Sequence, residues 1–166
     1  MEDITMKGNV ETFLVSPDGE RVPVQQGSNT VSYACADAVA RLFAGRGGGP
    51  TRIAFVYAVG NNKIGSFLFT AGERNKKESD IVGSGLSVVE APVDPSPSVS
   101  PSDDTGDYEG NKVELRATAY SSTAVYIYGY LLKDAAGNVL AVRKLASPIQ
   151  KPKDYGLSVS WSITFL

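Results

Sequence analysis

The sequence predicts a mainly β fold: an antiparallel β-sandwich or small barrel of about seven to eight strands, with one α-helix in the N-terminal half. Three observations carry that expectation. Apolar and polar residues alternate with period two through the last third of the chain. Only one stretch, residues 29–44, shows a helical apolar stripe. Turn residues punctuate the rest, and 166 residues suffice for one domain with a real core.

Residues 10–24 read as a hairpin, with apolar runs flanking Ser16, Pro17, Asp18 and Gly19. Proline presets φ in such a turn, and glycine accepts the left-handed position. Pro23 predicts that the return strand is short or lies at an edge. In the expected helix over 29–44, Val31, Ala34, Cys35, Ala38, Val39, Leu42 and Phe43 share one face. Ser28, Asn29 or Thr30 is expected to cap it, Gly45 to end it, and Asp37 and Arg41 to pair on the solvent side. The glycines of residues 45–49 follow a helix and run into Pro50. A phosphate-binding loop leads from a strand into a helix and ends in Gly-Lys-Ser/Thr, so these glycines read as a flexible connector.

Residues 52–59 are apolar on both faces and predict a central, well-buried strand. Asn61-Asn62 reads as a turn and residues 64–70 as a partner strand in a second hairpin. Residues 71–110 carry charges, serines and Pro92, Pro95, Pro97 and Pro101. They predict a long exposed loop with one short strand near 86–90, ordered in part by a neighbouring subunit. Residues 112–120 place Val113, Leu115, Ala117 and Ala119 on one face. Residues 125–132 form a strand with Tyr126, Tyr128 and Tyr130 on one face. Residues 134–138 make a hairpin turn, residues 139–145 return, and Pro148 and Pro152 lead to the last strand. There Leu157, Val159, Trp161, Ile163 and Phe165 point inward and Ser158, Ser160, Ser162 and Thr164 outward.

The missing residue types bound the chemistry. The chain has no histidine and one cysteine, Cys35. Histidine-dependent triads, Cys-His pairs and His-containing zinc sites are thereby excluded, as is an internal disulfide. Cys35, among alanines and Val39, reads as a small core residue. Glycoside hydrolysis needs only two carboxylates and stays open as a lesser alternative, a polysaccharide-degrading enzyme. Asp103, Thr105, Asp107 and Glu109 alternate and form a candidate calcium loop, although the EF-hand spacing is absent. No metal or cofactor is otherwise expected. A net charge of −2 gives no general reason to bind nucleic acid or an anionic membrane. The acidic start, Met1 to Thr5, lacks the pattern of a secretory signal, and no apolar run spans a bilayer, so the expectation is a soluble product of a cytoplasm. Tyr126, Tyr128 and Tyr130 have two readings: packing against the helix or a neighbouring strand, or an exposed row for an inter-subunit or glycan surface.

Two segments carry a resemblance. Residues 29–45 followed by Pro50-Thr51-Arg52-Ile53 match a helix ending in Leu-x-x-Gly that leads through a Pro-Thr-x-Ile step into a strand. Residues 128–132, 134–141, 147–151 and 157–165 give a hairpin, a proline step, a lysine and a Trp-containing terminal strand. Together, over roughly half the chain, this resembles small virion proteins of tailed bacteriophages. The chain departs from that pattern where an acidic residue often precedes the hairpin glycine, since tyrosines flank Gly129 here. The resemblance implies a non-enzymatic virion component that binds the major capsid protein or other virion proteins, commonly as a homo-oligomer. A capsid decoration, cement or head-fibre protein is the leading expectation; a tail, neck or fibre component with receptor or glycan binding is the alternative.

Overall fold

A computed structural model of the chain describes residues 6–70, 73–94, 98–101 and 111–165. Two five-stranded antiparallel sheets face one another as a sandwich. The first has the order β2-β1-β10-β7-β6, from β1 (Met6–Val15), β2 (Arg21–Ser28), β6 (Ser98–Pro101), β7 (Asn111–Tyr120) and β10 (Gly156–Phe165). The second has the order β3-β9-β8-β4-β5, from β3 (Thr30–Val31), β4 (Pro50–Ala58), β5 (Ser87–Pro92), β8 (Val125–Asp134) and β9 (Val139–Lys151).

The inner faces meet in one core. Val10, Leu115, Leu157, Val159, Trp161 and Ile163 of the first sheet pack against Ile53, Phe55, Ile127, Tyr130, Leu132 and Leu140 of the second. The inward set of β10 is buried as its alternation predicts, and Trp161 is fully enclosed. Its outward Ser158 and Ser160 are buried too. Arg21, lying over the Phe13 ring at 4.3 Å, and Thr118 both donate to Ser158 Oγ, so side chains cover Ser158.

The turns expected at residues 16–19 and 134–138 form. Gly19 takes φ 90°, and its N–H donates to Ser16 O. In the β8–β9 turn, Asp134 Oδ1 and Oδ2 accept from the backbone N–H and side chain of Asn138, while Gly137 takes φ 89°. β2 is an edge strand, and Pro23 lies at the register shift against β1, where a missing donor costs least.

The helix α1 (Tyr33–Phe43) starts later than the apolar stripe suggests, because Thr30 and Val31 pair with β9 instead. Ser32 is therefore the cap, its hydroxyl accepting from Cys35 N–H. Gly45 ends the helix as expected: with φ 71°, it lets the N–H of Arg46 reach Arg41 O and its own N–H reach Leu42 O. Arg41 turns to Asp134, with Nη2 at 3.6 Å, and not to Asp37.

The expected second hairpin does not exist. β4 pairs with β8 and β5, while Ile64–Ser66 is a 3-10 turn and Phe67 makes only an isolated bridge with Val82. Phe67 and Phe69 alternate because both plug onto the outer face of the second sheet, joining Ala54, Val56, Ile81, Tyr128 and Leu131 in a separate cluster. This outer cluster also explains why both faces of β4 are apolar.

The stretch expected as a long loop holds more structure than one strand. The short helix α2 (Glu78–Ile81) buries Ile81, β5 pairs with β4, and β6 pairs with β7. Its prolines fit because Pro92 and Pro101 close strands at the sheet edges. β9 likewise runs past Pro148, which sits where the ladder with β8 jumps from Lys144 to Ile149.

Candidate functional site

The tyrosines of β8 do not share a face. Tyr130 lies in the inter-sheet core, edge-on to Phe55 with centroids 5.6 Å apart, and accepts a 3.0 Å hydrogen bond from Thr12 Oγ1 across the sandwich. Tyr128 is buried in the outer cluster, donating to Gly60 O, and Tyr126 is half-buried beside it. The cause is a bulge. Val56 pairs with Gly129 and Tyr57 with Ile127, which leaves Tyr128 as an extra residue and reverses the inside–outside parity beyond it. Gly129 makes this possible: a Cβ there would stand 2.5 Å from Arg143 O and 2.6 Å from the Phe67 ring. Burial raises the Tyr130 phenol far above its ordinary pKa. These tyrosines pack, and they offer no continuous aromatic platform.

The remaining sequence candidates separate just as clearly. Cys35 is buried on the inner side of α1, and burial raises its thiol pKa. Asp103, Thr105, Asp107 and Glu109 lie outside the described residues. Among the described residues, no group of His, Cys, Asp and Glu is placed to hold a metal ion, and no helix is long and apolar enough to cross a membrane.

The acidic pair that does converge is Glu78 and Glu90, around the buried ammonium of Lys133. Glu90 also meets Arg52 Nη1 at 2.7 Å. Hydrogen bonds from Lys133 and Arg52 hold the Glu90 carboxyl below its ordinary pKa. Burial alone would lower Lys133, but its bonds to Glu90 and Glu78 outweigh that and raise it. A glycosidase acid needs a raised carboxyl, so this network is built for fastening α2 and β5 to β8.

Sequence reasoning missed the open end of the sandwich. There a cleft of about 380 Å³ runs between the sheets, lined by Phe55, Tyr57, Val125, Ile127, Ala119 and Leu157. Its rim exposes large apolar side chains: Val59 at 71%, Tyr120 at 74% and Val89 at 44%. Among the described residues the one charged lining residue is Lys151, whose ammonium donates to the carbonyls of Ser121, Pro152 and Tyr155 at 2.9–3.0 Å. Burial lowers its pKa. Three protons with three acceptors leave none on Lys151 for a ligand, so the cleft offers mainly apolar surface, with the hydroxyl-bearing Tyr57, Tyr120, Ser121 and Thr123 as its other polar side chains. No alternation signals this site, because its residues come from six different strands.

A second cleft of about 500 Å³ lies by Lys7, Tyr33 and Arg74. Both polar atoms of the Asn29 amide are buried there without a hydrogen-bond partner among the described residues, pressed against Gly8. Their burial shields them from anything in the cleft. Comparison of the chain with family models, curated proteins and solved structures returns no match.

Proposed function

We propose that this chain is a non-enzymatic structural component of a virus particle, a decoration or cement protein that binds the shell surface and stabilises contacts between capsomers. The observation that carries the reading is the apolar mouth of the sandwich, where Val59, Val89 and Tyr120 surround a cleft whose single cation is already saturated. Such a surface gains by covering apolar area, at about 25 cal/mol per Å². Modest gains per copy become firm attachment when a shell presents many equivalent positions. The converging carboxylates are consumed by Lys133 and Arg52, which favours docking over polysaccharide cleavage. The packing of Tyr128 and Tyr130 removes the aromatic row on which a glycan-binding fibre role would rest.

Mass spectrometry of purified virions tests the proposal. The expected copy number matches that of the major capsid protein or a simple fraction of it. A handful of copies per particle would place the chain in a tail or neck, and absence from virions would end the reading. In the same particles, Tyr120→Asp is expected to lower shell occupancy at least about tenfold while leaving thermal unfolding unchanged, because the side chain is exposed.

A further inference from the structure

We propose that the outer face of α1 is the contact between two copies of this chain, related by a two-fold axis passing between Ala36 and Ala40. Within Tyr33–Phe43 the only charged side chains are Asp37 and Arg41, so the helix is apolar almost all round. A helix of that composition belongs in an interior. Yet α1 buries only Cys35 and Ala38 against the sandwich, and Tyr33 is 63% and Phe43 96% exposed, with Ala36 and Ala40 exposed between them.

Those four residues, spaced by three, four and three, form one line along the solvent side of the helix. The line reads aromatic, small, small, aromatic in either direction. An antiparallel copy therefore sets Tyr33 opposite Phe43 of the partner subunit and Ala36 opposite Ala40 of the partner subunit. The alanines let the two axes approach closely, and the aromatics close both ends. A contact that maps onto itself by inversion of chain direction is the requirement of a two-fold dimer.

Charge supports the same partner. Asp37 and Arg41 sit side by side on one flank of that line. The antiparallel arrangement brings Asp37 beside Arg41 of the partner subunit, twice over. Arg41 holds Asp134 at 3.6 Å and keeps 42% of its side chain exposed, so it can serve both. One pair of short helices lies at the low end of interface sizes, which sets the expected dissociation constant on the order of 10 to 100 μM.

Sedimentation equilibrium of the full chain, from about 1 to about 500 μM, reads this directly. The expected result is a monomer–dimer equilibrium, with a dimer twice the 17.6 kDa chain mass. Phe43→Asp and Ala40→Glu are each expected to weaken it about 100-fold, with thermal unfolding confirming that these exposed substitutions leave the fold intact. Asp37→Arg and Arg41→Asp each oppose like charges and lose the dimer, and an equimolar mixture of the two variants regains it as a heterodimer. A wild-type chain that stays monomeric over the range would overturn the proposal. So would an oligomer unaffected by Phe43→Asp and Ala40→Glu, or a mixture that fails to restore association.

Discussion

Gly129 decides where three tyrosines go. Its missing side chain admits the Phe67 ring from one side and Arg143 O from the other, and the bulge beside it sends Tyr130 into the core and Tyr128 outward. Gly129→Val is expected to cost about 2 to 4 kcal/mol, since neither the backbone nor a buried ring can yield. Urea unfolding measures it, and a loss under 1 kcal/mol would mean that the bulge is not required. Thr12 and Tyr130 form a second test at this scale. Thr12→Val strands a buried phenol and should cost about 1 to 3 kcal/mol, much of which Tyr130→Phe in the same chain restores. The tyrosine alternation itself was visible in the sequence, but a single inserted residue leaves no mark on it, so the reversal of faces was not.

At the level of elements, the outer layer of the second sheet is held by charge as well as by Phe67, Phe69 and Ile81. Glu90 titrates lower folded than unfolded, so its ionised form favours the fold above the ordinary value of 4.5, and that support fades as pH falls through the folded pKa. Lys133 titrates higher folded, so its contribution is whole below 10.5 and is lost as pH climbs past the raised value. Protection factors of the amides in β5 and α2, with the intrinsic pH dependence of exchange removed, are therefore expected to fall as pH drops below the ordinary value of 4.5 and through the lowered folded pKa of Glu90. Glu90→Gln should flatten that acid limb; a limb unchanged by it would assign the loss elsewhere. The turn at Asp134–Asn138, the Gly45 helix end and the alternation of β10 were legible because each depends on its own few residues. The outer layer was not. Phe67 and Phe69 alternate like a strand, and only the tertiary fold shows that they cover a sheet instead of extending one. The prolines at Pro92 and Pro101 argued against strands until the ladder order made them edge positions.

For the whole molecule, the class of fold followed from short-range patterns, whereas its exposed apolar surfaces did not. The cleft mouth gathers the ends of strands distant in the chain, and the α1 stripe is exposed only because the sandwich leaves it uncovered. The strand order carries a further consequence. β10 lies between β1 and β7, pairing Met6 with Phe165, so the middle of the first sheet is the strand that leaves the ribosome after all the others described. Until then the β1–β2 hairpin has its edge open and no Trp161 beneath it. Such long-range closure makes folding slow, and a nascent or truncated chain lacking β10 presents two adhesive strand edges in place of one finished sheet.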